Sequence, residues 1–147
     1  MIQMFVRLAE TLSVPRSVGE IYGLFFCSSK PLCFEDVVEQ LRISSGSASQ
    51  GIRFLRSIGA IQLIYEPGDR RDHFSPETGL RKLVGGFLNE KVVPQVRGGS
   101  ERLSVIENLL QQDSAPQALH LSARLDLLRN WHRKAARLLP ILARLVG

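Results

Sequence analysis

Gln50, Arg53 and Arg56 follow the serines Ser44, Ser45, Ser47 and Ser49 in the stretch ISSGSASQGIRFLRSIGA, Ile43–Ala60. Glutamine and arginine carry planar groups that pair with base edges or phosphates, and small hydroxyl residues allow a close approach. The spacing puts them on a helix. Ser44 is a good N-cap, because its side chain accepts a bond from a backbone N–H in the next turn. Ala48, Gly51, Ile52 and Leu55 then recur at i, i+3, i+4 and i+7, which is one apolar stripe. Gly59 stands where such a helix should end, since glycine suits a left-handed terminating turn. The front of the helix is Ser45, Ser47, Ser49, Gln50, Arg53 and Arg56, a face suited to a DNA major groove. A solvated helix face would carry the same residues, so the neighbouring elements decide.

Other chemistry is weakly represented. His73, His120 and His132 are scattered, and none has metal-ligand spacing with Cys27 or Cys33. No catalytic set is visible, and no enzyme activity, cofactor or metal is expected. His73 reads as a wing residue and His132 as a hydrogen-bonded histidine on a helix seam. Phe5, Tyr22, Phe25, Phe26 and Trp131 could line a cage for a quaternary ammonium. Ordinary packing is the favoured reading of those rings.

The chain of 147 residues is one domain's length, or one domain with an arm. Its net charge of +5 fits a polyanionic partner, but residues 13–75 hold seven basic and seven acidic residues. The excess lies after Ser75, where eleven basic residues face six acidic ones. A DNA role therefore rests on where particular arginines sit. Two cysteines make no disulfide framework. The opening segment lacks a secretory core, and no run reaches the roughly 18 apolar residues of a membrane span. A cytoplasmic protein with reduced thiols and no membrane contact is expected.

The surrounding elements must hold the serine–arginine helix. Residues 2–12 have helical apolar spacing, broken at Val14-Pro15. A second helix follows to about Ser28; its Gly19 and Gly23 would let another helix approach closely. Phe34–Leu41 reads as a two-turn helix with Cys33 at its N-cap and acids Glu35 and Asp36 in its first turn. A short turn at Arg42-Ile43 joins it to the serine–arginine helix, which makes a helix-turn-helix. Ile61–Glu66 is a strand, Pro67-Gly68 a tight turn, and His73-Phe74-Ser75 the return strand. Arg70 and Arg71 fall at this hairpin's tip. Ser75-Pro76-Glu77 reads as a helix start. That helix is expected to be limited or kinked at Pro94 and to end at Gly98-Gly99. Ser100–Gln112 is another helix, and Asp113–Pro116 is a loop.

Leu121, Leu125, Leu128, His132, Ala135, Leu139, Leu142 and Val146 alternate by four and three, a heptad seam, with Pro140 expected to kink or divide the helix. The fold class is mainly α: a winged helix-turn-helix with a small β-hairpin wing, plus N- and C-terminal dimerisation helices. The winged domain is expected over residues 13–88, with 1–12 and 89–147 forming a homodimer. Phe5, Leu121, Leu125, Leu128, His132, Leu139 and Leu142 are its expected contacts.

Three blocks, RSVGEIYGLFF, ISSGSASQGIRFLRSIGAI and YEPGDRRDHFSPE, resemble the GbsR-like branch of the MarR-type transcriptional regulators. The likeness covers about Pro15–Leu88. It implies a winged-helix homodimer that binds double-stranded DNA sequence-specifically, often as a repressor. Ser45–Ile58 corresponds to the recognition helix, and Arg70 and Arg71, after Asp69, to the wing arginines. Some members are thought to sense choline or related osmolytes. A small-molecule effector is thus a further expected partner, placed at the junction of the winged domain and the dimer helices. Cys33 stands where a small hydroxyl residue would be usual. The competing function is a winged-helix protein-interaction scaffold that leaves DNA alone.

Overall fold

The computed structural model describes residues 1–112 and 116–146, with 116–119 as backbone only. The chain divides into two compact units, Met1–Gly86 and Phe87–Gly147.

The first unit is built around α2, Arg16–Cys27. Its Ile21 and Phe25 are almost wholly buried, and Val37, Ala48, Leu55 and Phe74 close around them. The preceding α1, Ile2–Thr11, lies against α2 and buries Val6 and Ala9. Glycines make that approach possible: a Cβ on Gly19 would stand 2.6 Å from the Phe5 carbonyl oxygen, and one on Gly23 2.9 Å from Ile2 Cα. The apolar face of residues 1–12 is thus partly covered inside the chain. Phe5 sits 5.0 Å from both Tyr22 and Phe26, ring centre to ring centre. Tyr22 donates its hydroxyl to the Glu77 carbonyl at 2.7 Å. These rings pack on one another, and Phe25 turns instead to Phe74 at 6.2 Å. Phe5, Tyr22, Phe25 and Phe26 thus pack on neighbouring rings, as the favoured reading of the sequence has them, whereas Trp131 is exposed.

The helix-turn-helix consists of α3, Phe34–Leu41, and α4, Ser45–Ser57. Arg42 takes a left-handed conformation, φ +53°, to turn the chain between them. Cys33 is the N-cap of α3 as expected: its sulfur accepts from the Asp36 backbone N–H, and Asp36 Oδ2 accepts from the Cys33 N–H at 2.9 Å.

The wing has three strands, β1 (Leu32–Cys33), β2 (Ile61–Ile64) and β3 (His73–Pro76), in the order β1-β3-β2. Both pairings are antiparallel, with Leu63 opposite Phe74 and Cys33 opposite His73. Glycine at position 68 supplies the φ of +90° that the Pro67-Gly68 turn needs, and the Asp69 N–H closes it on the Glu66 carbonyl at 3.2 Å. Two expectations are corrected. Leu32–Cys33, where no strand was expected, forms β1, which is too brief to show alternation. Ser75-Pro76-Glu77 is not a helix start; Ser75 and Pro76 belong to β3. The proline is tolerated because β1 pairs only with His73 and Phe74, so on that side Pro76 has no partner to miss its N–H. The next helix, α5, starts at Leu80 and runs to Phe87.

The second unit continues through a π-helical turn, Leu88–Val92, into α6, Val93–Arg97. The widened turn lies just ahead of Pro94, which has no N–H to offer and whose ring crowds the preceding turn. That is the interruption expected there, and α6 ends at the Gly98 cap as expected. Then come α7, Gly99–Gln112, and α8, Pro116–Val146. The loop expected at Asp113-Ser114-Ala115 lies outside the described residues, and Pro116 already begins α8. Helix α8 continues through Pro140. Leu125 and Ala143 face inward, and His132 Nε2 meets the Val96 carbonyl. Arg129 pairs with Glu107, Nη1 to Oε1 at 2.7 Å. Among the described residues no helix is long and apolar enough to cross a membrane.

Candidate nucleic-acid interface

Helix α4 is set by its two ends and its back. Ser44 caps the start, its Oγ accepting from the Ser47 N–H at 3.1 Å and donating to Ser47 Oγ at 3.0 Å. Gly59 follows the end with φ +69°. Ala48, Gly51, Ile52 and Leu55 are buried along the back. Gly51 lies directly on Ile21 of α2, and a Cβ there would collide with Ile21 Cδ1. The front therefore points away from the core, with Ser45, Gln50, Arg53 and Arg56 exposed. Ser47 and Ser49 are half-buried, and the Ser47 hydroxyl is engaged at the cap.

The wing comes back beside this helix. Ser49, Arg53 and Arg56 line a cleft of about 840 Å³ with Arg70, Arg71 and Asp72. Phe34, Ile52 and Phe74 form its floor, and Glu35 and Ser57 complete the wall. Four arginines against two carboxylates leave the cleft positive. The fold thus brings together five of the eight expected DNA-facing residues; Ser45, Ser47 and Gln50 lie outside the cleft. Ser57 was missed by the sequence reading, although it lies one turn beyond Arg53 on the same face; its hydroxyl bonds the Phe54 carbonyl at 2.8 Å.

The arginines differ in their surroundings. Arg56 places its guanidinium carbon 5.9 Å from the centre of the Phe74 ring, a cation–π contact that steadies a long side chain. Arg71 holds Asp69 along one edge, Nε to Oδ1 at 3.0 Å and Nη2 to Oδ2 at 2.5 Å. Its Nη1 reaches Cys33 Sγ at 3.4 Å. Hydrogen bonds from the Arg71 side chain and backbone hold the Asp69 carboxyl well below the usual carboxylate range, and Asp69 raises Arg71 in return. Arg53 and Arg70 have no such partner among the described residues.

Beneath the wing, burial pushes the Cys33 thiol up. Hydrogen bonds from Cys33 hold Asp36 and Glu35 below their ordinary range, the backbone N–H leading for Asp36 and the thiol for Glu35. His73 is buried on β3, its Nδ1 3.0 Å from the Arg71 carbonyl. It is a wing residue, as expected, and an inward one.

No family model matches the chain. The HTH-type transcriptional repressor GbsR of Bacillus subtilis (strain 168) is 26% identical over 87 residues, 57% of this chain and 48% of that protein. The chain thus spans about half the length of the curated relative it matches. A crystal structure of a transcriptional regulator superposes with a TM-score of 0.56 at 22% identity, covering 97% of this chain and 95% of that one. A S. aureus MepR mutant bound to an oligodeoxyribonucleotide gives a TM-score of 0.46 at 20% identity, over 87% and 86% of the two chains. The chain is a winged helix-turn-helix protein that resembles the GbsR-like branch of the MarR-type regulators.

Proposed function

We propose that this chain is a sequence-specific, double-stranded DNA-binding transcriptional regulator, a repressor that works as a homodimer. The observation that carries the reading is the convergence of the α4 front and the wing on one positive cleft. The repressor role of the GbsR relative supports it. In this reading α4 enters the major groove, which is about 12 Å wide and admits one helix. Gln50 and Arg53 read base edges. Ser45 and Ser49 stand close to the backbone, and Arg56 touches phosphate. Arg70 reaches phosphate or the neighbouring minor groove from the wing.

Self-association would use α8. Leu121, Leu128 and Leu142 of the heptad seam are about half exposed, while Leu125 is spent inside the chain. Beside the seam, Leu127, Trp131, Leu138, Ile141 and Leu145 form a second exposed stripe, with steps of four, seven, three and four residues. Two such stripes on one helix make a broad self-complementary surface. A two-fold pair would set its reading helices about 34–36 Å apart, one turn of DNA.

Selection of bound fragments from a random DNA pool tests the reading. The expected product is a near-palindrome whose half-sites lie about 10–10.5 base pairs apart. Arg53→Ala should cost roughly 1–3 kcal/mol for each lost base contact and relax the preference at one position per half-site. A pool that never enriches would reject DNA and leave the protein-scaffold reading standing.

A further inference from the structure

The wing carries an acid where a polyanion is to sit. Asp69 follows the Pro67-Gly68 turn and stands beside Arg70, and charge alone says it should weaken binding. Its contacts say otherwise. The carboxylate grips one edge of the Arg71 guanidinium and also accepts from the Arg71 backbone N–H at 3.0 Å. The far side of the same guanidinium is on the buried sulfur of Cys33, 38 residues away in sequence. That sulfur already accepts from the first turn of α3. One planar side chain therefore spans from the wing's loop to the start of the helix-turn-helix. The planar guanidinium carries donors on separate edges in fixed directions, so it can hold a carboxylate on one edge and a second acceptor on another. Below it, His73 pairs with Cys33 across the sheet and keeps Nε2 3.6 Å from Asp69 Oδ2.

We propose that Asp69, Arg71 and Cys33 form a latch that fixes the wing against the helix-turn-helix, and that Asp69 is a positioning residue that strengthens DNA binding despite its negative charge. The proposal rests on the DNA reading. The latch holds the loop in one place, so Arg70 meets its phosphate without first ordering the wing. Side chains that act through a held geometry lose binding when the holder is removed, whatever the sign of its charge.

Asp69→Asn in the full chain keeps the size and removes the charge, so the two views predict opposite signs. The latch predicts operator affinity lower by roughly tenfold, the effect of losing one charge-assisted bond. It also predicts a slope of log affinity against log salt flatter by about 0.9, as Arg70 loses a phosphate. A smaller folded fraction would lower affinity without changing that slope. Adding Cys33→Ala to Asp69→Asn should cost little more, because both act through one guanidinium. An Asp69→Asn chain that binds as tightly as wild type, or tighter, overturns the latch. Hydrogen exchange gives a reading that needs no DNA. Wing amides should exchange faster in Asp69→Asn and in Arg71→Gln while α2 amides stay as in wild type. If the wild-type chain selects no DNA, the DNA reading fails, and exchange decides the latch: faster wing exchange keeps it, unchanged exchange rejects it.

Discussion

Arg53 and Arg70 differ from Arg56 and Arg71 in nothing the sequence displays. Their surroundings separate them. Arg56 lies over a ring and Arg71 is tied at both edges, whereas Arg53 and Arg70 project from the cleft. The residue types and the helix face were legible because they follow from i, i+3, i+4 spacing. The partner of Arg71 was not, because Cys33 becomes its neighbour only when β1 pairs with β3. The acids give a pH dependence. The Asp36 carboxyl is lower in the folded chain than its ordinary value, so its contribution to stability is present above the unfolded carboxylate pKa and is lost as pH falls through the folded one. Asp36→Asn should therefore lower the urea midpoint at neutral pH, and the gap to wild type should close as pH is taken down through the carboxylate range. A gap that persists unchanged into acid would mean that the amide disturbs packing and that charge is not the cause.

At the scale of elements, boundaries were readable where one local signal dominates. The serine at position 44 marked the start of α4, the glycine at 59 its end, and Pro94 the break near α6. Long-range pairing set the rest. Ser75-Pro76-Glu77 has every local sign of a helix start, yet β2 captures it as strand: Ile61 pairs with Pro76, and the Glu77 N–H goes to the Ala60 carbonyl at 2.9 Å. Glu77 still serves the following helix, because its Oε1 accepts from the Gly79 N–H at 2.9 Å just ahead of α5. The capping of α4 gives a direct test. Ser44→Ala removes the acceptor for the Ser47 N–H and should cost about 1 kcal/mol in urea unfolding. Ser44→Gly should cost only a few tenths, since it keeps the backbone conformation. Equal losses in the two variants would show that the cap bond is not what holds the helix start.

At the scale of the whole molecule, the second unit leaves apolar surface that one copy does not cover. Trp131 is 63% exposed, Leu138 57% and Leu145 62%. Contiguous apolar surface of this kind marks an association site more often than a free face. The proposed dimer is expected to persist at micromolar concentration in light scattering. Leu138→Asp with Ile141→Asp should yield a folded monomer with an unchanged melting curve for the winged unit, because both residues are exposed within the chain. A wild-type monomer would remove the two-fold and with it the palindromic operator. The heptad seam was visible in the sequence, but the share of it spent at home was not. Leu125 is buried within the chain and His132 meets the Val96 carbonyl of α6, which the spacing of α8 alone does not reveal.

The contact between Gly51 and Ile21 has a consequence for how such a protein changes its target. The front of α4 carries chemistry; the back carries thickness. One methyl added at position 51 meets Ile21 Cδ1, so either that side chain turns or the helix rides higher on the body of the unit. Shortening Ile21 to valine alongside Gly51→Ala would return the volume and let the helix settle again. The height of the helix and the lettering on its face are thus two separate dials, and the first is turned entirely from within the hydrophobic core. A lineage could retune how deeply it grips any site without altering a residue that touches it.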